Sequence, residues 1–321
     1  MTKFAIVGTG IIFKHHANSI AALDNAELVA VCDINEEKAK EYSEKYDVPY
    51  VLDYKKLPEL VDFDAVILNL PHGLHCEAAV FFLNAGKHVL VEKPMANTVE
   101  ECDKMIEASQ KSGKKLAVGH MQRHYPINQL AKEIAASGDL GEFVMYTENR
   151  CEDYFYENRP KWFLSKKMAG GGIAMNFAAH AFDKFFTFTG QSEVTSVDAM
   201  CGNLANDYDV EGHAQIFAKF AGGKSASITL TGYAATGSFV NLYFTKGAIR
   251  LASRSVVEVN RGDGNGYVPV EADISGPTAF TRQLDAFIKY INGEDADVAD
   301  GYYGRRIIDA ITRGYAANEK A

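Results

Sequence analysis

The stretch that decides the fold is residues 4–10, FAIVGTG, in which four apolar residues lead into a Gly-Thr-Gly turn. An apolar run of this length that ends in glycine predicts a buried β-strand followed by a tight turn. Similar runs recur within the first 120 residues, at 27–32, 65–70, 89–91 and 116–118. Stretches rich in Ala, Glu and Lys separate them, at 36–46, 77–84 and 99–111. This alternation predicts βαβ units and a doubly wound parallel sheet.

The pattern changes after about residue 121. Strand-like segments now follow one another, at 142–150, 194–201, 213–220, 225–233, 240–245 and 256–259. Successive strands predict an antiparallel or mixed sheet. One helix is predicted near 126–137, and three more would cover one face of that sheet, at 173–186, 278–292 and 304–317. The fold class is therefore α/β with a second, α+β domain, and the uncovered sheet face favours a homo-oligomer.

Composition limits the function classes. Hydrophobic residues make up 47% and charged residues 23%, which is typical of a soluble globular chain. No apolar stretch is long enough to span a bilayer, and the apolar start is too short for a signal peptide, so a cytoplasmic protein is expected. The net charge of −9 without a basic run argues against nucleic-acid binding, and the five scattered cysteines predict neither disulfides nor a thiolate zinc site.

The glycine turn at residues 8–10 opens a predicted helix, where backbone N–H groups can bind the pyrophosphate of a dinucleotide. Phe13 stands at the third position of the usual glycine pattern, so a plain tight turn is the alternative. Asp33 ends the second predicted strand, where a carboxylate binds the adenine ribose or caps the next helix. Ile34 and Asn35 follow without an adjacent arginine, which favours NAD over NADP.

Glu92-Lys93-Pro94 closes the strand-like run at 87–91. A residue before proline is held in extended geometry, and lysine readily changes its charge on burial, so Lys93 is a candidate acid/base group. The alternative is an exposed lysine at a strand end. Residues 69–75, NLPHGLH, end another strand at the edge where doubly wound sheets bind ligands. There His75 either contacts ligand or caps the following helix.

Gly170-Gly171-Gly172 precedes a predicted amphipathic helix that carries Asn176, His180 and Asp183. Spacings of four and three place these side chains on one helical face, and the glycines allow close approach to the helix start. A single helical histidine is often structural, but this combination favours a role in a site. His15 and His16 are adjacent rather than one turn apart, and no cluster has metal-ligand spacing, so no metal is predicted.

Together, these segments resemble the glucose-fructose oxidoreductase / inositol dehydrogenase (Gfo/Idh/MocA) family over essentially the whole chain. The resemblance implies a Rossmann domain at residues 1–120 and a substrate and oligomerisation domain with an open, mostly antiparallel sheet at 121–321. It also implies bound NAD, with NADP as the alternative, and a homodimer or homotetramer. The implied reaction is reversible hydride transfer from a secondary alcohol of a sugar, cyclitol or related polyol.

The resemblance also assigns roles to individual residues. Lys93 would remove the hydroxyl proton, with Glu92 orienting it and the Lys93–Pro94 peptide a candidate for the cis form. His180 would be the second acid/base or substrate-orienting group. Many members carry aspartate where this chain has Asn176, which can only hydrogen-bond. The cofactor-binding candidates are Gly8, Gly10, Ile11, Ile12, Asp33, Asn69, Leu70, Pro71, His72, His75, Glu92, Lys93, Gln122 and Trp162.

The segment before the glycine run supplies candidate substrate contacts. Tyr154 and Arg159, together with Asn176, could bind a sugar by stacking and hydrogen bonding, or the segment could simply be a packed loop. Trp162-Phe163 stands where many members have Trp-Arg. Two other classes remain: a glycoside hydrolase that retains NAD, and an NAD-binding, ligand-sensing regulator without turnover. The pair Lys93 and His180 argues against the regulator, which needs no acid/base groups.

Overall fold

The computed structural model describes residues 1–191, 193–204 and 208–320. They form two compact units. Unit 1 comprises residues 1–121 and 277–305, and unit 2 comprises 122–276 and the residues from 306 onward. The elements up to residue 121 are β1 (Thr2–Val7), α1 (Phe13–Ala21), β2 (Ala26–Cys32), α2 (Glu36–Tyr46), β3 (Tyr50–Val51), α3 (Leu57–Leu60), β4 (Ala65–Leu68), α4 (His75–Asn84), β5 (His88–Glu92), α5 (Val99–Ser112) and β6 (Leu116–Gly119).

The six strands of unit 1 form one sheet in the order β3-β2-β1-β4-β5-β6. All of its neighbouring strands are parallel. Every residue of β4 is buried, as expected for a strand covered by helices on both faces. The predicted doubly wound parallel sheet is confirmed. The short edge strand β3 was not predicted, because two residues carry no measurable alternation.

The elements of unit 2 before residue 277 are α6 (Pro126–Ala136), β7 (Phe143–Cys151), α7 (Lys166–Ala169), a π-helical turn (Ala174–Ala178), α8 (Ala179–Thr189), β8 (Val194–Gly202), β9 (His213–Phe220), β10 (Ser225–Thr231), β11 (Gly237–Phe244), β12 (Ala248–Leu251), β13 (Val256–Asn260) and β14 (Tyr267–Glu271). The strands form one sheet in the order β14-β13-β12-β11-β7-β10-β9-β8. Among the strand pairs of this sheet that the described residues form, only β7–β10 is parallel, so the predicted mostly antiparallel sheet is confirmed.

Two strands of this sheet, β12 and β14, were not predicted. β12 is four residues long and contains Arg250. β14 contains Pro269, which has no N–H to donate and argues against a central strand. The structure resolves the conflict by placing β14 at the edge of the sheet, where an unpaired side tolerates proline.

The last two helices are α9 (Ala279–Ile291) and α10 (Gly301–Asn318). The prediction that the helix at 278–292 covers the second sheet is wrong, because α9 belongs to unit 1. Its buried Leu284, Phe287 and Ile288 join the core built by Phe4 and Phe13, among others. An apolar stripe predicts that a helix is covered, but not which surface covers it.

Candidate active site

The glycine turn after β1 lies against the end of β4. Gly8 has φ +96°, and a Cβ atom there would lie 2.4 Å from the carbonyl oxygen of Asn69, so only glycine fits. Apart from Gly10 itself and its two chain neighbours, no atom of the described residues lies within 4 Å of the position that a Cβ at Gly10 would take. Helix α1 begins at Phe13, and its N-cap residue, Ile12, makes no side-chain capping hydrogen bond. An uncapped helix start beside open space fits the pyrophosphate of a dinucleotide.

Asp33 follows β2, and its carboxylate faces the glycine turn. Its Oδ2 accepts hydrogen bonds from the backbone N–H and the hydroxyl group of Thr9, both at 2.7 Å. Its Oδ1 accepts from the N–H of Asn35 at 2.9 Å. The cap of α2 is Asn35 rather than Asp33, because the Asn35 side chain accepts from the N–H of Lys38. A carboxylate fixed at this edge fits ribose hydroxyl groups and repels a 2′-phosphate.

Residues 69–75 connect β4 to α4. Both polar side-chain atoms of Asn69 are buried and have no hydrogen-bond partner within the described chain. Pro71 precedes a short 3-10 turn that begins at His72, whose side chain is buried. Because buried polar atoms are normally satisfied, the Asn69 amide is suited to contact a bound ligand at the sheet edge.

His75 is fully buried between two main-chain carbonyl groups. Its Nδ1 lies 2.9 Å from the oxygen of Pro94, and its Nε2 lies 2.8 Å from the oxygen of Leu70. Burial lowers the pKa of the imidazole, whereas the two carbonyls and Glu92 act to raise it. The predicted helix-capping role is wrong, since the cap residue of α4 is Leu74. His75 instead ties residues 69–75 to the segment at Pro94.

Glu92 is the last residue of β5, Lys93 and Pro94 follow it, and the Lys93–Pro94 peptide bond is cis. The Glu92 carboxylate accepts the backbone N–H of Lys93 at 3.2 Å, and its other oxygen lies 2.8 Å from Nε2 of His16. A Cβ atom at Gly119 would lie 2.8 Å from the same carboxylate, so glycine leaves the room that Glu92 occupies. Glu92 therefore holds Lys93 through its main chain.

His16 was missed as a site residue. It lies on the buried face of α1, where Phe13, Ala17 and Ile20 complete a spacing of i, i+3, i+4 and i+7. A histidine within an apolar helical stripe was the available signal, because a buried imidazole needs a hydrogen-bond partner. The sequence does not reveal that this partner is Glu92.

The candidate residues of unit 1 come from four neighbouring strands. Asp33 follows β2, Gly8 follows β1, Asn69 follows β4 and Lys93 follows β5, and these strands are adjacent and parallel in the order β2-β1-β4-β5. Their carboxyl ends therefore share one edge of the sheet, where doubly wound folds bind ligands. The structure thus brings together the predicted cofactor-binding candidates of unit 1 at one edge.

In unit 2, the segment before the glycine run forms an aromatic and cationic cluster. The guanidinium carbon of Arg159 lies 3.5 Å from the ring centroid of Tyr154 and 4.1 Å from that of Phe163. The ring of Trp162 stacks on Phe163 at a centroid distance of 3.6 Å. Burial raises the pKa of the Tyr154 hydroxyl, whereas Arg159 and Asn176 beside it act to lower it. Tyr154, Arg159 and Asn176 therefore lie together.

The glycine-led helix is not regular. Asn176 lies in the π-helical turn and His180 lies in α8, so the helical phase shifts between them. The predicted spacing of four residues on one face assumed an α-helix throughout, which is wrong for this turn. Asn176 and His180 are both buried. π-helical turns frequently occur at functional sites, because they redirect one side chain without ending the helix.

Two buried ion pairs surround the part of α8 that follows His180. Nζ of Lys184 donates to Glu148 of β7, which also accepts the hydroxyl group of Tyr146. Asp183 Oδ1 lies 3.6 Å from Nε of Arg123. Burial lowers the pKa of Lys184, and the adjacent Glu148 acts against that shift. Sequence periodicity did not predict these pairs, because their members are distant in the chain.

The remaining predicted candidate, Gln122, opens unit 2. Its carbonyl oxygen accepts hydrogen bonds from the side chain of Asn128 and the N–H of Tyr125. Within residues 1–191, 193–204 and 208–320, no group of three or more His, Cys, Asp or Glu side chains could hold a metal ion. No helix in the same ranges is both long and apolar enough to cross a bilayer. All five cysteines are free thiols.

Two family profiles match this chain. One is described as an oxidoreductase family with an NAD-binding Rossmann fold (GFO_IDH_MocA) and covers residues 2–120. The other is the GFO/IDH/MocA C-terminal domain and covers residues 128–250. The two matches account for both the parallel sheet of unit 1 and most strands of the sheet of unit 2.

Individual relatives extend over different lengths. A 1-carboxy-3-chloro-3,4-dihydroxycyclohexa-1,5-diene dehydrogenase of Comamonas testosteroni is 32% identical over 72% of this chain, which spans only 58% of that relative. A D-glucoside 3-dehydrogenase of Escherichia coli K12 is 28% identical over 99% of this chain and 95% of the length of that relative. The crystal structure of an aldose-aldose oxidoreductase from Caulobacter crescentus complexed with glycerol superimposes with a TM-score of 0.90, at 25% identity, over 99% of this chain and 98% of that one.

Proposed function

Because the chain belongs to the GFO/IDH/MocA family of NAD-binding oxidoreductases, we propose that it transfers a hydride between a nicotinamide cofactor and a secondary alcohol of a sugar, cyclitol or related polyol. One observation carries the proposal. The uncapped glycine turn, Asp33, the unsatisfied Asn69 and Lys93 share one edge of the parallel sheet. This edge offers both a dinucleotide cradle and an amine that can exchange a proton.

The residues of unit 1 fit NAD. The backbone at Gly8, Gly10, Ile11 and Ile12 would hold the pyrophosphate, and Asp33 would bind the adenine ribose. The remaining cofactor contacts that we propose in unit 1 are Asn69, Leu70, Pro71, His72, His75, Glu92 and Lys93. In unit 2, we propose Gln122 and Trp162. NAD is favoured over NADP because the Asp33 carboxylate is already fixed in place by Thr9 and Asn35. When bound, NAD supplies the hydride acceptor at its nicotinamide ring.

Lys93 supplies the proton transfer in this proposal. During oxidation, the substrate O–H bond breaks and the proton passes to Nζ of Lys93, while the carbon loses its hydride and becomes a carbonyl carbon. Glu92 and His16 hold the main chain of Lys93. His180 is the second proton-transfer or orienting group. Asn176 orients the substrate by hydrogen bonding, because an amide cannot exchange a proton at neutral pH.

The test is NADH absorbance with a panel of sugars, cyclitols and their acids, in wild type, Lys93→Ala and the control Lys104→Ala. Lys104 is an exposed residue of α5 and lies outside the proposed site. We expect turnover in wild type and Lys104→Ala and its loss in Lys93→Ala. Ligand-dependent NAD binding without turnover would instead support the regulator, and glycoside cleavage without net NADH would support the hydrolase.

We also propose a homodimer or homotetramer formed through the open face of the unit 2 sheet. Strand pairing places four large apolar side chains on that face: Met145, Met200, Phe217 and Phe239. Phe217 is 56% exposed and Met200 is 69% exposed, so a second copy of the chain would remove substantial apolar surface from water. The free thiols are consistent with a reducing, cytoplasmic location.

Light scattering tests the proposed assembly. Phe217→Asp places a charge in the proposed interface and should reduce the particle mass to that of one chain. Ile274→Asp changes an equally apolar residue that is 65% exposed but lies outside the strands, and should leave the mass unchanged. A single-chain mass for the wild type would contradict the proposal.

A further inference from the structure

Arg159 stands apart from other arginines of unit 2. The guanidinium group of Arg150 donates to Glu152 at 2.7 Å, and that of Arg313 donates to the carbonyl of Val194 at 2.8 Å. The Arg159 guanidinium has neither a carboxylate nor a carbonyl partner among the residues that the structure describes, and its Nε is buried without a hydrogen bond. A buried, unsatisfied donor on a permanent cation is costly, so a partner is expected.

Aromatic rings flank the partly buried side chain of Arg159. Its guanidinium carbon lies 3.5 Å from the Tyr154 centroid and 4.1 Å from the Phe163 centroid. Rings at these distances orient the planar cation and leave its N–H edge as the part that can bind. A guanidinium edge presents parallel donors whose spacing matches the two oxygens of a carboxylate.

Glu211, an acidic residue near Tyr154, does not supply that carboxylate. Glu211 is the acid whose charge acts on the neighbouring Tyr154. Its carboxylate already accepts the hydroxyl group of Tyr315 at 2.7 Å and the N–H of Ala174 at 2.9 Å. Glu211 is therefore held by other donors, and no ion pair joins it to Arg159 within the described chain.

The groups beside Arg159 suit a polyol. The Tyr154 side chain is fully buried, and its hydroxyl group lies next to Arg159 and Asn176 without a hydrogen bond of good geometry in the described residues. A phenol and an amide can each bind a substrate hydroxyl group or share a carboxylate oxygen with the cation.

We infer that Arg159 binds the carboxylate of an acidic polyol substrate, such as a hexuronate or a carboxylated cyclitol, with Tyr154 and Asn176 binding adjacent oxygens. The inference rests on the proposed function for the identity of the reacting group, but the anion site itself does not. Arg159 is thus a specificity-determining residue that selects the acid over the corresponding neutral polyol.

The chain provides its own reporter for this site. Trp162 is the only tryptophan, and it stacks on Phe163, whose ring contacts Arg159. We expect glucuronate to change Trp162 fluorescence in the NAD-loaded protein and to bind about 10- to 100-fold more tightly than glucose, as a charge-assisted hydrogen bond allows. Arg159→Gln should abolish this preference, and Arg159→Lys should restore only part of it, because an ammonium cannot bind bidentately.

Lys161→Gln is the matched control, since it removes one positive charge from an exposed side chain in the same segment. It should retain the preference for the acid. Equal affinity of wild type for glucuronate and glucose, a preference for glucose 6-phosphate over glucuronate, or an unchanged preference in Arg159→Gln would each overturn the inference.

The fluorescence measurement separates this inference from the proposed function. If glucuronate binds through Arg159 but no compound yields NADH, the anion site stands and the dehydrogenase proposal fails. If neutral polyols yield NADH equally well in wild type and Arg159→Gln, and glucuronate shows no preference, the dehydrogenase proposal stands and the anion site fails.

Discussion

Lys93 in unit 1 and His180 in unit 2 are held by different kinds of interaction. The main chain around Lys93 is fixed by two buried imidazoles, His75 on the carbonyls of Leu70 and Pro94 and His16 on Glu92. The helix that carries His180 is instead fixed by buried pairs of full charges, including Lys184 with Glu148. Imidazole contacts orient a loop at modest cost, whereas a buried ion pair strongly destabilises the fold once one partner is lost. We therefore expect substitutions in the contacts that hold Lys93 to affect mainly catalysis. Substitutions in the ion pairs that hold the His180 helix should affect mainly stability.

The largest expected effect is on kcat, when each of the two acid/base candidates is replaced. Lys93→Ala should lower kcat by about 10³-fold, within the range for losing a general acid or base. His180→Gln should lower kcat by about 10²-fold or less, because glutamine keeps a hydrogen bond and Asn176 cannot relay a proton to this position. Single-turnover NADH formation measures both variants. A larger loss in His180→Gln would reverse the assignment.

The next largest effect is on the free energy of unfolding, when the buried ion pair of Lys184 and Glu148 is broken. Lys184→Met leaves the Glu148 carboxylate buried beside Tyr146 alone, and should lower the free energy of unfolding by about 3–5 kcal/mol. The double variant Glu148→Gln with Lys184→Met should recover most of that loss. Urea denaturation measures the change. The control Lys289→Met breaks the exposed pair with Asp285 and should cost less than about 1 kcal/mol, and equal losses in both variants would contradict the comparison.

A smaller effect on kcat is expected from substitutions that disturb Glu92, the residue that holds the main chain of Lys93. His16→Gln weakens the contact that holds Glu92, and should lower kcat by about tenfold with little change in the free energy of unfolding. His15→Gln alters the neighbouring imidazole, which is exposed and stacks on Phe280. It should leave kcat unchanged. Gly119→Ala, whose Cβ would displace the Glu92 carboxylate, should reproduce the His16→Gln defect.

The smallest effect is a pH dependence of unit 1. Burial, followed by the charge of Lys114, lowers the pKa of His88 from 6.5 to about 4, and Nδ1 of His88 accepts the N–H of Lys115. His88 therefore binds a proton more tightly in the unfolded chain than in the folded one. The contribution of neutral His88 to the free energy of unfolding is present above pH 6.5 and is lost as the pH falls towards 4. Because His88 is only partly buried, we expect the free energy of unfolding to fall by about 1 kcal/mol over this range. His88→Asn should not show this fall. Urea denaturation at both pH values measures it, and an equal loss in His88→Asn would contradict this cause.

The strands were predictable where a local pattern decides them. The run at residues 4–10 predicted β1 and the glycine turn, because an apolar strand and a positive-φ glycine are local requirements. The partners of His16 and Lys184 were not predictable, because Glu92 and Glu148 lie on elements distant in sequence. The π-helical turn at Asn176 was also missed, since hydrophobic spacing over so few residues cannot separate it from an α-helix. Sequence reasoning therefore named candidate residues better than it named their contacts.

Because α9 packs into the core of unit 1, that core can form only after α9 has been synthesised. Leu284 and Phe287 are fully buried in the same core as Phe4 and Phe13, although some 270 residues separate them in the chain. During synthesis, residues 122–276 of unit 2 are translated before α9, so the apolar surface of the first strand and helix is covered only after that part of unit 2 has been made. A fragment that ends at residue 121 would expose that surface, and should require a chaperone or aggregate. The core of the parallel-sheet unit is thus completed by a helix that is translated after residues 122–276.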